Sequence, residues 1–69
     1  MEALSFQRIR EVAARTGLSR STIYAKVAAG TFPRPVPLGS ANIIGFVSSE
    51  VSEWCEAQIR AARPDLAAA

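Results

Sequence analysis

The chain has 69 residues, a formal net charge of +2, one cysteine and no histidine. A chain of this length builds one small domain without a large enclosed substrate cavity, and these counts exclude an intramolecular disulfide and argue strongly against a structural zinc site. No apolar run approaches the ~20 residues of a membrane span and no signal segment is recognisable, so we expect a cytoplasmic protein.

The charges are distributed unevenly along the chain. Residues 1–40 carry a net charge of +4, whereas residues 41–69 carry −2. A basic half favours a polyanionic partner such as a nucleic acid. The alternative is a solvated surface of mixed charge.

The N-terminal part predicts an extended segment followed by a helix. We expect residues 1–7 to be loose, with a short extended stretch over 6–9 that leads into the core, and a first helix over 10–16. Helical spacing defines the inner face of this helix as Ile9, Val12, Ala13 and Thr16. The start is weakly signalled, because Arg10 stands where a Ser or Asp cap is expected.

Residues 16–24, with the sequence TGLSRSTIY, are typical of a helix-turn-helix. Gly17 can adopt the left-handed conformation that ends a helix, and Leu18 can insert into the core. Ser19 is better suited to capping the next helix than to reading a base. The alternative is an ordinary helical hairpin, since many of these also contain a glycine turn and a serine cap.

A second helix is predicted over 19–29, and Gly30 ends it. Ile23 and Val27 lie four residues apart on one face, so they face inward together with Leu18. The outer face and its flank consist of Arg20, Ser21, Tyr24, Ala25 and Ala28. The helix therefore opens with donors for phosphates and bases, at the helix end that attracts anions.

The middle of the chain predicts a β-hairpin. Alternating prolines in residues 31–39 disfavour helix and favour extended backbone, and Phe32 is expected to pack on the two helices. Residues 36–38 suit an edge strand, a turn follows over 39–42, and residues 43–47 suit the returning strand. These two strands form the wing.

The last predicted element is a helix with Ser48 as its N-cap, ended by Pro64. Its apolar stripe consists of Val51, Trp54, Cys55, Ile59 and Ala62. Trp54 is expected to be the largest core side chain. Cys55 is expected to be a buried, unreactive thiol and not a nucleophile.

The predicted order is helix, helix, hairpin and helix. This order indicates a mainly α protein with a small β-hairpin, a winged helix-turn-helix. We expect residues 1–69 to form a single DNA-binding domain, with its core over about 8–63 and a frayed tail at 64–69.

With these motifs in this order, the chain resembles the AlpA-type regulators of phages and prophages, small proteins with a MerR-like winged helix-turn-helix. The matching blocks are REV at 10–12, TGLSRSTIY at 16–24, GTFPRPV at 30–36 together with LG at 38–39, and GFVSSEV at 45–51 followed by Trp54. They cover roughly residues 8–60. No single block is decisive, but four blocks in the correct order form a specific signal.

The resemblance implies a sequence-specific protein that binds double-stranded DNA in transcription regulation. Some relatives activate or repress prophage genes, and others act as excisionase-like directionality factors that bend DNA. The recognition-helix contacts that it implies are Ser19, Arg20, Ser21, Thr22 and Tyr24. Lys26 lies near them at the flank of the core, and its stem can run along the protein to a phosphate.

Individual roles within this surface remain open on the sequence alone. Arg20 is the best candidate for a bidentate contact to guanine, with a phosphate contact as a close alternative. Ser21 and Thr22 suit phosphates, and Tyr24 either donates to a phosphate or covers the core edge. Arg34, just before the wing, either grips the DNA backbone or is a solvated charge.

The wing departs from the family pattern, which often places an arginine between the turn and the second strand. Residues 40–44, SANII, contain no cation. The wing is therefore expected to contact DNA only weakly, through Ser40, Asn42 and backbone N–H groups. Alternatively, Ile43 or Ile44 forms a contact with a protein.

A second departure is from the wider MerR class, whose members continue into a long dimerising helix and an effector domain. We expect no cofactor and no small-molecule effector, and a homodimer would have to form through the domain itself or cooperatively on DNA. A protein-interaction adaptor is the rival function, supported by the uncharged wing and an acidic third helix with Glu50, Glu53 and Glu56. An enzyme is disfavoured, because no catalytic triad, metal cluster or phosphate loop is visible.

Overall fold

The computed structural model describes residues 5–40 and 42–63. Its elements are β1 (Phe6–Gln7), α1 (Ile9–Thr16), α2 (Arg20–Ala29), β2 (Val36–Ser40), β3 (Ile43–Val47) and α3 (Ser48–Ala62). The predicted fold class is confirmed: the protein is mainly α with a small antiparallel sheet, as in a winged helix-turn-helix. The expectations for residues 1–4, for Ala41 and for Pro64 and the tail at 64–69 lie outside the described residues. Among the helices of the described part, none is long and apolar enough to cross a membrane.

α1 begins one residue earlier than the sequence predicted, and an acidic residue caps it. Arg8 occupies the N-cap position, and its backbone N–H donates to Glu11 Oε1 at 3.1 Å. A guanidinium has no acceptor, so this bond is the acidic half of a capping box without its serine. The residue that signals the start of α1 in the sequence is therefore Glu11, three residues after the N-cap.

The turn between α1 and α2 is fixed by local hydrogen bonds. Gly17 has a φ of 75°, and its N–H donates to the Ala13 carbonyl at 2.9 Å, which closes α1 in the left-handed manner that favours glycine. The Thr16 hydroxyl donates to the Val12 carbonyl at 2.9 Å and accepts from the Leu18 N–H at 3.2 Å. Leu18 is half-buried and packs against the core, as predicted.

The sheet has three strands in the order β1-β3-β2, although the sequence predicted only a hairpin. β1 lies within the extended segment expected over 6–9, and it pairs antiparallel with β3, with Phe6 opposite Val47. β2 pairs with the other edge of β3, with Val36 opposite Gly45. Two residues carry no alternating pattern of their own, so β1 becomes a strand only because β3 offers it an edge.

The core takes one apolar side chain from each helix, one from β3 and one from the loop before β2: Val12, Ile23, Phe32, Phe46 and Val51. Phe32 meets Phe46 edge to face, with ring centroids 5.8 Å apart. The prediction that Trp54 is the largest core side chain is wrong, because Phe46 is the largest fully buried one. Trp54 is half-buried. Its ring packs on that of Phe32, with the ring centroids 4.8 Å apart, and its indole N–H donates to the Thr31 carbonyl oxygen at 2.8 Å. That polar N–H keeps the ring at the rim of the core.

The start of α3 also differs from the prediction. Val47 occupies the N-cap position without a side-chain cap, and Ser48 is the first helical residue and is buried. The Ser48 N–H donates to the Ser5 carbonyl at 2.8 Å, and its hydroxyl accepts from the Ser5 hydroxyl at 2.9 Å. The prediction that Ser48 caps α3 is therefore wrong, and Ser5, distant in sequence, instead satisfies the N–H of the first helical residue.

The apolar stripe of α3 is buried only in its first half. Val51 is fully buried and Trp54 is half-buried, but Ile59 is 54% exposed and Ala62 is also exposed. Cys55 is half-buried, less than predicted, and packs against the core cluster. The core of such a small domain is too short to cover a helix of 15 residues.

Arg15 joins three parts of the fold. Its guanidinium donates to Gln7 Oε1 at 2.7 Å, to Ser52 Oγ at 2.9 Å and, over 3.4 Å, to the Ser48 carbonyl. Gln7 lies in β1, and the two serines lie in the first turns of α3. The planar guanidinium of an arginine can make several such hydrogen bonds at once. Arg15 therefore has a structural role, since it links α1 to β1 and α3.

We predict that Gly45→Ala lowers the free energy of unfolding by about 1–3 kcal/mol. Gly45 is buried, and an added Cβ would lie 2.8 Å from Leu38 Cδ1 and 2.9 Å from Phe6 Cβ. The Leu38 side chain can rotate, but a Cβ is fixed by its backbone, so β1 must shift. Urea denaturation followed by circular dichroism measures the loss, and an unchanged midpoint and slope would contradict this close approach.

We predict that Arg15→Gln lowers the free energy of unfolding by about 1–2 kcal/mol, because it removes the hydrogen bonds between α1, β1 and α3. Arg60→Gln is the matched control. Arg60 is exposed on α3 and its side chain makes no hydrogen bond within the residues that the structure describes, and surface positions without such contacts usually change stability by less than about 0.5 kcal/mol. Equal denaturation midpoints for the two variants would show that the Arg15 bonds contribute nothing.

Candidate nucleic-acid interface

α2 carries most of the predicted site residues, and hydrogen bonds fix both of its ends. At its start, Ser19 Oγ accepts from the Thr22 N–H at 3.2 Å and donates to Thr22 Oγ1 at 2.9 Å. The predicted serine cap is thereby confirmed. At its end, the Thr31 N–H donates to the Lys26 carbonyl at 2.9 Å in a Schellman arrangement around Gly30. The helix is thus held as a defined platform.

All five side chains that the sequence assigned to the outer face and flank of α2 are exposed: Arg20, Ser21, Tyr24, Ala25 and Ala28. Thr22 and Ala29 are exposed as well. Ile23 is the fully buried residue of this helix, and Tyr24 is 43% exposed. α2 contains no acidic residue. Its exposed surface therefore combines hydroxyl groups and a guanidinium with small alanines that allow close approach.

Thr22 and Lys26 differ from the other polar side chains of α2: Thr22 is hydrogen-bonded to Ser19, and Lys26 is only partly exposed. Thr22 Oγ1 accepts from Ser19, which leaves the threonine proton for another acceptor. Lys26 is half-buried at the flank of α2. This position agrees with the expectation that its aliphatic stem runs along the protein.

Arg34 is set apart from the α2 surface. It lines an open groove of about 430 Å³ together with Pro33, Glu50, Glu53 and Trp54. Two carboxylates at this groove create a local field that disfavours phosphate. No α2 residue lines this groove, so Arg34 does not share a cleft with the α2 residues that the sequence placed in the same site.

Arg20 lies instead in a basic cleft with Arg8 and Arg10 at the start of α1. Neither of those two arginines was predicted as a site residue. The signal in the sequence was the +4 charge of residues 1–40, which does not tell which arginines meet. Arg15 belongs to the same basic half but bonds to β1 and α3.

The wing presents no charged side chain. Residues 36–47 contain none. Asn42 is exposed in the turn, Ile43 is 38% exposed, and Ile44 is half-buried. Of the two isoleucines considered for a protein contact, Ile43 is the more accessible.

In the part of the chain that the structure describes, no three His, Cys, Asp or Glu side chains come together as a metal site requires.

Comparisons with known proteins identify relatives of this chain. A family model described as Prophage CP4-57 regulatory protein (AlpA) matches residues 5–59. The chain is 44% identical over 54 residues to Uncharacterized protein ORF88 of Enterobacteria phage P4. That alignment covers 78% of this chain and 60% of the phage protein, so the chain spans less than two thirds of that relative. No solved structure matches the chain. The family match over most of its length shows that the chain belongs to the AlpA family of prophage regulatory proteins.

Proposed function

We propose that this protein is a phage-type transcriptional regulator that binds specific double-stranded DNA with α2 in the major groove. The observation that carries the proposal is the exposed surface of α2, which follows a helix-turn-helix turn, contains no acid and begins with Arg20. Membership of a family of regulatory proteins supports it. A helix so placed is the element that reads DNA in helix-turn-helix proteins.

The hydroxyl groups of α2 are suited to the DNA backbone and to base edges. Ser21 is exposed near the helix start, Thr22 retains a hydroxyl proton, and the Tyr24 phenol is accessible. Ser19 acts chiefly as the helix cap, because its hydroxyl already makes two hydrogen bonds. Lys26 reaches a phosphate from the flank of the helix.

The wing and Arg34 have smaller roles in this proposal. Asn42 offers an amide to the DNA, but no cation of the wing supports it. Arg34 shares its groove with Glu50 and Glu53, which weakens its attraction for a phosphate. Most of the binding free energy therefore comes from the two helices of the helix-turn-helix.

The rival function, a protein adaptor, is favoured by the same groove. Trp54 and Pro33 give it apolar walls, and Ile59 is exposed further along α3. Exposed apolar side chains of this kind suit a protein partner. An excisionase-like factor is a variant of the main proposal, and the extent of DNA bending distinguishes it from a simple regulator.

We predict selective binding to a fluorescent duplex from around the protein's own gene, compared with scrambled DNA at low and physiological salt. Base contacts should preserve the selectivity when salt weakens the phosphate contacts. Fluorescence anisotropy measures both affinities. If the protein binds the genomic and the scrambled duplex equally at low salt and neither duplex at physiological salt, sequence-specific binding to that DNA is contradicted.

We predict that Ala25→Glu weakens DNA binding by about tenfold or more, because it places a carboxylate on the exposed surface of α2, close to phosphates. Ala57→Glu is the matched control, since Ala57 is also an exposed alanine inside a helix. Both variants should melt alike. Equal affinities for DNA would remove α2 from the interface.

A further inference from the structure

We propose that Arg8, Arg10 and Arg20 together clamp a phosphate of the DNA backbone. In this assignment Arg20 binds the backbone and does not read a guanine, and the interface extends from α2 to the start of α1. The inference rests on the proposed function, because the phosphate is that of DNA bound to α2.

The three arginines meet in one preformed cleft. It has a volume of about 450 Å³ and is lined by Arg8, Ile9, Arg10, Glu11 and Arg20. All three arginines are exposed, and half-buried Ile9 supplies an apolar wall. The cleft therefore joins the first turns of both helices in the helix-turn-helix.

The cleft carries a net positive charge, which favours the binding of an anion. Three guanidinium groups face one carboxylate, which leaves a net charge of +2, and Glu11 already accepts a hydrogen bond from the Arg8 backbone. Within residues 5–40 and 42–63, the side-chain hydrogen bonds include several from Arg15 but none from these three guanidinium groups. Their donors are available, and their mutual repulsion is relieved when an anion binds.

A backbone phosphate fits this cleft better than a base edge does. A guanine edge offers neutral acceptors to one arginine, whereas a phosphate carries a full negative charge and accepts from several guanidinium groups at once. Two of the three arginines lie at the first helix, which in helix-turn-helix complexes crosses the DNA backbone. Base reading then falls to the rest of the exposed surface of α2, which includes Ser21, Tyr24 and Ala25.

The test measures binding to a duplex of arbitrary sequence over a range of salt concentrations, for wild type, Arg10→Ala, Arg20→Ala and Arg60→Ala. Arg60→Ala is the control, since it removes the same charge from an exposed site on α3. Each cleft variant should weaken binding to the arbitrary duplex about fivefold or more relative to the control, and this difference should shrink as the salt concentration rises. Arg10→Lys should restore most of the affinity that Arg10→Ala loses, and melting curves check that each variant folds.

The outcomes separate the clamp from the proposed function. If wild type fails to bind any duplex at low salt, the proposed function itself fails. If wild type binds but the cleft variants bind the arbitrary duplex as tightly as Arg60→Ala at every salt concentration, the clamp is wrong and DNA binding stands. If Arg20→Ala weakens binding only to a selected sequence and leaves the arbitrary duplex unaffected, Arg20 reads a base and the clamp is again overturned. If inorganic phosphate at constant ionic strength binds wild type and Arg10→Ala equally, the cleft is no phosphate site.

Discussion

The turn between α1 and α2 is the constraint on which the rest of the structure depends. Gly17 adopts a φ of 75°, which ends α1 within one residue, and the Thr16 hydroxyl bonds to the chain on both sides of it. Leu18 packs into the core and Ser19 caps α2. These local bonds set the angle between the two helices. They thereby bring Arg20 at the start of α2 beside the start of α1.

The arginines of the basic half have different tasks, although they contribute equally to net charge. Arg15 holds α1, β1 and α3 together through its hydrogen bonds. Arg20 lines the basic cleft, whereas Arg34 shares a groove with two glutamates. A charge acts within about a Debye length of 8–10 Å, so its neighbours in space decide its function. Charge patterning along the chain detects a polyanion-binding half but does not identify the interface.

The small core explains why long-range polar contacts matter in this fold. Five buried apolar side chains from different parts of the chain meet around Phe46, and a domain of this size leaves the second half of α3 uncovered. The Ser5 contacts to Ser48, the Arg15 contacts and the Trp54 bond to Thr31 supplement that core. Apart from the Arg15–Gln7 bond, which spans eight residues, these bonds join residues far apart in the sequence, and they attach α3 to α1, to the loop after α2 and to Ser5 just before β1.

Local patterns in the sequence determined the helices, the turn and the hairpin, because glycine conformation, serine capping, proline backbone and helical spacing act within a few residues. They also identified the exposed residues of α2. Only the tertiary structure decided that β1 is a strand, that Trp54 lies at the rim of the core, that Ser5 meets Ser48, and that Arg8 and Arg10 lie beside Arg20 while Arg34 does not. Each of these features joins residues from separate elements. Their energies depend on distances that exist only once the elements have packed.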